Sequence, residues 1–337
     1  MEDTKELLNR TAGEETAPQP VLVYGPRKAG TTLLQSLLDG SPALLMIPGE
    51  LKLKVFVRRK GRSKEDPMGL FVERGRSIFA ALFERKPGGQ GIQAKDGPEF
   101  SGLSRARLSA LFDAGEYVAR LSELLARKPT NLGGILTGDA SAFAASLRGG
   151  HGDTTRWASK EVGGDPGEVL DLFLQHFPRG RIVFAVRQPE FVVRSILLKR
   201  RRKGGRMSIR RIFHECRDAQ NIVSYCHNHA LGRDVVVAYE RLTADTAREI
   251  ARICQELKIP FDEIMTVPTT LGEPVVVHTS SRQTTKVFHW EGNWWDDLTW
   301  REVLVIRLFN AWSRFVCHKD VPYERLMVAL DAQRKGD

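Results

Sequence analysis

Short apolar runs alternate with stretches of helical period along this chain. Val21-Leu22-Val23-Tyr24 is an apolar run closed by Gly25-Pro26, and Leu33, Leu34, Leu37 and Leu38 follow on one helix face. That pattern predicts strand, tight loop, helix. A second apolar run, Leu44 to Ile47, comes next. Further on, Asp165, Pro166 and Glu168 combine an N-cap residue, a proline at the first helical position and a carboxylate that completes a capping box. The helix they open runs through Leu170 and Phe173 and stops near Pro178. Residues 182–186 predict a buried strand, Pro189 opens a turn, and residues 191–198 read as a helix. Residues 235–238 form another strand, and Ile250, Ile253, Cys254 and Leu257 line one face of the helix after it. Thr299 and Glu302 open a last long helix reaching about Val316. Strands alternating with helices predict an α/β fold, a P-loop-like parallel sheet flanked by helices on both faces.

The polar, Gly-rich stretches 85–102 and 148–155 read as loops over the sheet edge. Residues 1–19 are expected to be a flexible lead-in, 20–325 a single domain, and 326–337 a C-terminal tail. A small helical insertion within 65–128 stays open. There is no internal repeat.

Composition changes this picture mainly through charge. The formal net charge is +10, which favours anionic partners: nucleotides, nucleic acid, acidic glycans or a membrane surface. The cations cluster in 52–64 and 199–211, and solvated faces explain most of each run. No nucleic-acid motif or aromatic platform accompanies them, so no nucleic-acid partner is expected. Cysteines 216, 226, 254 and 317 form no Cys-x-x-Cys pair, which fits free thiols in a reducing compartment. The first twenty residues are polar and acidic, unlike a signal peptide, and no apolar run approaches the roughly 20 residues of a membrane span. The expectation is a cytoplasmic protein with no membrane insertion. His214, Cys216, Cys226, His227 and His229 match no zinc-ligand spacing and read as an amphipathic helix, so no metal is expected.

The first candidate chemistry is the loop Gly25-Pro26-Arg27-Lys28-Ala29-Gly30-Thr31-Thr32 between strand and helix. The first N–H groups of a helix have no intrahelical partner, and its dipole favours an anion there. The loop is similar to a Walker A motif, but Thr31 stands where that motif has lysine, and the cation is inside the loop at Lys28. No acidic magnesium ligand stands out, and the strand ending at Val186 leads into Arg187. The loop therefore suits a phosphate-like group held by charge and N–H donors. The second candidate is Arg187 with Pro189 and Ser195, an arginine at a strand end and a serine early in the next helix, which can converge on one phosphate.

Residues 25–32 resemble the 5′-phosphosulfate loop of sulfotransferases that use 3′-phosphoadenosine 5′-phosphosulfate (PAPS): a basic residue, a small residue, then Gly-Thr-Thr. Arg187 and Ser195, eight positions apart, are similar to that family's 3′-phosphate element, with Gln188 in place of the more usual Asp. Tyr239-Glu240-Arg241-Leu242 looks like its Tyr-Glu-x-Leu segment. Ser281 and Lys286, followed by Trp294-Trp295, are similar to the late cofactor loop of tyrosylprotein and related bacterial members. The resemblance implies a PAPS-dependent sulfotransferase releasing 3′,5′-bisphosphoadenosine (PAP). It further implies that Arg27, Lys28, Ala29, Gly30, Thr31, Thr32, Arg187, Ser195, Tyr239, Ser281 and Lys286 bind the donor.

Sulfuryl transfer is mainly in-line positioning with charge building on the leaving oxygen. Lys28 is the cation placed to neutralise that charge. The acceptor must lose a proton, and Glu50, just beyond the Leu44–Ile47 run, is the expected base. Its region resembles the catalytic Glu segment of glycosaminoglycan and tyrosylprotein sulfotransferases; the competing reading is a surface Glu paired with Lys52 or Lys54. Lys160 resembles a lysine that precedes the 3′-phosphate helix in bacterial members, which would place it beside the transferring group. Asp139, in Gly-Asp-Ala-Ser, reads as a helix N-cap. The acceptor is left open among glycan, peptide tyrosine and small-molecule hydroxyl, and so is the oligomeric state. Two competing classes remain, a P-loop kinase of nucleotides or small molecules and a non-catalytic polyanion binder.

Overall fold

The computed structural model describes residues 19–53, 83–85, 92–94, 103, 105–127, 131–148, 156–275, 277–278, 283–284, 287–316 and 321–335. The lead-in before residue 19, the basic run beyond Leu53, Cys317, and the expected donor ligands Ser281 and Lys286 lie outside the described residues.

The elements are, in chain order, β1 (Val21–Gly25), α1 (Thr31–Leu38), β2 (Leu45–Glu50), β3 (Phe83–Arg85), β4 (Ile92–Ala94), α2 (Arg105–Leu111), α3 (Ala114–Ala126) and α4 (Leu132–Ala145). Then come β5 (Trp157–Val162), α5 (Pro166–His176), β6 (Arg181–Val186), α6 (Pro189–Arg202), α7 (Ile209–Tyr225), β7 (Val235–Ala238), α8 (Tyr239–Ala244), α9 (Thr246–Leu257), α10 (Trp300–Val316) and α11 (Tyr323–Lys335).

Five strands form one parallel sheet in the order β2-β5-β1-β6-β7. Alternation along each strand feeds two separate cores. Val21, Val23, Val183, Ala185, Val235 and Val237 face α1 and α9, meeting Leu34, Leu37, Ile250 and Ile253. Leu22, Tyr24, Ile182, Phe184 and Val236 face the other way, onto α3, α4, α5, α7 and α11. Burial on both faces is what a parallel sheet requires, and it explains why its strands read as unbroken apolar runs. At the end of β1 a Cβ on Gly25 would lie 2.3 Å from the Ala185 carbonyl oxygen, so this close approach needs glycine.

The structure moves several expected boundaries. α6 extends from Pro189 to Arg202: the proline pre-sets the first turn, and the basic last turn Lys199–Arg202 complements the helix C-terminus. Phe83–Arg85 and Ile92–Ala94 pair as antiparallel strands, the second of them inside the stretch read as loop. Residues 326–335, expected as tail, belong to α11, whose Leu326 and Leu330 are buried in the larger core. Asp139 is no N-cap. It lies inside α4, 1 % exposed, and accepts a 2.6 Å hydrogen bond from the Tyr117 hydroxyl. The cap of α4 is Asn131, whose side chain accepts from the Gly134 N–H. Of the His/Cys group, Cys216 and Cys226 are buried, and His214 pairs with Asp218 along α7.

Candidate active site

Side-chain caps mark which helix starts are closed. Asn131, Asp165, Ser208 and Asp245 each accept a backbone N–H at the start of α4, α5, α7 and α9. The helices that leave the ends of β1, β6 and β7 have no such cap. Gly30, with φ 95°, precedes α1, whose first turn holds no acid, so its leading N–H groups can meet an anion. Lys28 two residues earlier also takes a left-handed backbone, φ 66°, as the chain folds back on itself. Between them, Ala29 packs against Val192 and Ile196 of α6 and Ala219 of α7, fixing the loop to both helices.

Arg187 comes to the same loop from the end of β6. Its Nη1 donates to the Lys28 carbonyl at 3.2 Å, across 159 positions of sequence. Its guanidinium lies 4.2 Å from the centre of the Tyr239 ring. That ring in turn presses on Gly30, where a Cβ would come within 2.4 Å of Tyr239 Cδ2. Lys28, Gly30, Arg187 and Tyr239 are thus one assembly built from three strand ends. Glu240 secures it: its carboxylate accepts the Gln188 N–H at 3.3 Å and the Tyr323 hydroxyl at 2.6 Å, and stands 3.9 Å from Arg187 Nε. Ser195 is buried on the second turn of α6.

Beside Arg187 opens a small cleft lined by Phe191, Tyr239, Glu240, Thr243, His289 and Trp290. Two buried donors on this pocket, Arg187 Nε and Trp290 Nε1, have no hydrogen-bond acceptor among the described residues. Buried donors are nearly always paired, so the pair suits a ligand rich in acceptor oxygens or ring nitrogens. Trp290 also stacks under Arg194, 4.4 Å from its guanidinium, and Arg194 holds the Asp296 carbonyl and the Asp297 carboxylate. Trp294 packs against the apolar cluster between α6, α7 and α10.

A second arm reaches the loop from β5. Lys160 donates to the Thr32 hydroxyl at 2.9 Å and sits opposite Glu50 in the β2–β5 register. Burial brings the Lys160 ammonium down to about 8, with Glu50 opposing and Lys52 adding to the shift. Glu50 itself accepts from Lys52 at 2.8 Å, the lysine pairing named as the competing reading for it. The fully buried Glu161 accepts the Leu53 N–H at 2.9 Å and pins the turn that carries Glu50 and Lys52.

The electrostatics of the loop are strongly positive. Lys28 is brought down to about 8, by burial first and then by Lys199, Arg202, Arg187 and Arg27. Arg27 stands 3.9 Å from the buried Glu215 of α7, which also holds Arg211. Glu215 and Trp290 are contributors that sequence reasoning left out, and Glu240 was quoted there without a role. Glu240 had a signal, since it follows Tyr239 at a strand end; Trp290 had none, because only tertiary contacts bring it to Arg187.

The chain is similar to known proteins. A model of the sulfotransferase family matches residues 20–263. The solved sulfotransferase domain of the olefin synthase of Synechococcus PCC 7002 is 17 % identical, with 87 % of this chain and 95 % of that one covered at a TM-score of 0.50, which supports the fold. The sulfotransferase domain of the curacin biosynthetic pathway is 14 % identical over 87 % and 98 % of the two chains, at a TM-score of 0.48. STF9 of Mycobacterium avium is 14 % identical over 95 % and 77 %, at 0.37. No curated protein sequence matches. With its family model spanning most of the chain and a parallel sheet bearing this anion-directed loop, the protein belongs to the sulfotransferase family.

Proposed function

We propose that this enzyme transfers a sulfuryl group from PAPS to a hydroxyl or amine acceptor, without a metal ion and with Glu50 as base. The observation that carries the reading is the meeting of Lys28 and Arg187 at two strand ends, beside a pocket with two unfilled buried donors. The donor set suits a bisphosphorylated adenosine: cations and uncapped N–H groups for phosphates, and Tyr239, Phe191 and Trp290 for a flat base. PAPS supplies the sulfuryl group, and PAP is the leaving group. Lys28 neutralises charge on the leaving oxygen, Arg187 and Ser195 hold the 3′-phosphate, and Lys160, steered by Thr32, faces the transferring group. Glu50 takes the acceptor proton, with Lys52 swinging aside. Thr31 in place of a Walker lysine, and Arg187 where a magnesium-binding acid would stand, support a reaction that needs no divalent ion.

The direct test is thermal unfolding in EDTA with PAP or with ATP, and again with Mg-ATP. At about 100 times its Kd, PAP adds about 2.7 kcal/mol of stability, a rise of several degrees in Tm. A shift with Mg-ATP and none with PAP would replace this reading by a kinase.

Affinity for PAP should also depend on pH in one direction. Lys28 and Lys160 give up their protons near pH 8 in the free protein, and a bound anion favours their charged forms. Binding is therefore full well below pH 8 and weakens above it, by about tenfold per pH unit for each lysine that must be recharged. Calorimetric Kd values from pH 7 to pH 10 measure the slope; a flat profile would show that neither lysine faces the anion.

A further inference from the structure

Helix α10 has two apolar sides, and the fold uses only one. Val305, Ile306 and Phe309 are buried against Ile212, Phe213 and Cys216 of α7, with the Phe213 and Phe309 rings 4.8 Å apart. On the opposite side Trp300, Leu304 and Leu308 are 70 %, 47 % and 58 % exposed. At about 100° per residue these three and the exposed Ala311 share an arc of about 80°. Arg307 borders the arc on one side and Arg301 on the other, both exposed, with Arg301 stacked 5.3 Å from the Trp300 ring centre. Among residues 300–313 the exposed positions are three large apolar side chains, one alanine and two arginines, without an acid. A helix that is apolar on two sides is normally covered on both.

The surroundings indicate what covers it. Arg201 of α6 reaches the Asp297 carbonyl and the Glu302 carboxylate, tying the C-terminal end of α6 to the start of α10. That end and the segment after it expose Lys199, Arg200, Arg202, Lys203, Arg206 and Arg210. Ile209, 66 % exposed, stands among them. A second copy seated on the stripe would bring the flanking arginines of the two helices together, so charge opposes self-association. A tryptophan and leucines framed by arginines suit the headgroup boundary of an anionic bilayer, and the cations at the end of α6 add to the charge of this end of the molecule. We infer that this face docks peripherally on an anionic lipid surface. The inference does not depend on the donor reading.

The test is flotation of the full chain with mixed phosphatidylglycerol–phosphatidylcholine vesicles and with phosphatidylcholine alone. The protein should float with the anionic vesicles only, and less as salt rises. Leu304→Glu/Leu308→Glu should lower partitioning at least about tenfold, because burial of both side chains is lost. Arg301→Glu/Arg307→Glu should do so by a similar factor through charge alone, a second route should the leucine pair fail to fold. All four positions are exposed, so the melting temperature of each folded variant should match the parent. Absence of flotation, or flotation that neither pair weakens, would overturn the inference. So would a dimer in sedimentation velocity that Leu304→Glu/Leu308→Glu dissociates, since the stripe would then be an interface between copies.

Discussion

Arg187→Ala is expected to abolish stabilisation by PAP and raise its Kd by about 100-fold or more. A guanidinium gripping a phosphate makes two charge-assisted hydrogen bonds, each contributing about 1.5–3 kcal/mol, and every 1.4 kcal/mol is tenfold in affinity. The loss extends beyond the ligand, because Arg187 also lies on the Tyr239 ring and donates to the Lys28 carbonyl. Lysine at this position keeps the charge and loses the planar fork, so Arg187→Lys should recover only part of the affinity. Lys28→Ala should give a loss of the same order from the other side of the loop. Calorimetry of PAP binding to the three variants measures this. Near-parental affinity in Arg187→Ala would place the phosphate elsewhere and remove the basis of the donor site.

The second large effect is catalytic. Glu50→Gln should leave PAP stabilisation intact and lower kcat by about a hundred- to ten-thousand-fold, the usual contribution of a positioned base. Glutamine keeps the shape and can still meet Lys52, so the turn pinned by Glu161 should survive. Glu50 stands opposite Lys160, whose ammonium reaches the loop through Thr32, which is why a proton acceptor here would face the transferring group. Turnover is read with radiolabelled donor against a panel of hydroxyl and amine acceptors. A variant that turns over like the parent rules Glu50 out as the base, while unchanged PAP binding in that variant keeps the donor site standing.

The two arms of the site differ in how visible they are before folding. The phosphate loop lies within eight consecutive residues, and its chemistry follows from local backbone rules: a strand must end, glycine must accept a positive φ, and a helix must begin without a cap. Arg187 was readable for the same reason, as a cation at the end of an apolar run. Asp139 misled because a short polar residue in Gly-Asp-Ala-Ser has the local chemistry of a cap, whereas its partner is Tyr117 on another helix. Trp290 lines the pocket because Arg194 stacks on it, a contact across the fold that no local pattern announces.

By itself, the order of apolar runs and helical stretches determined an α/β sheet buried on both faces, and the loop chemistry determined an uncapped helix start at the end of its first strand. These are consequences of period and turn geometry, which act over a few residues. The tertiary structure decided which strand ends share a crevice. It set the order β2-β5-β1-β6-β7, brought Arg187 onto the Lys28 carbonyl and Tyr239 onto Gly30, and placed Glu50 across from Lys160. Those pairings join residues more than a hundred positions apart. They depend on strand order and helix packing, which no local pattern specifies.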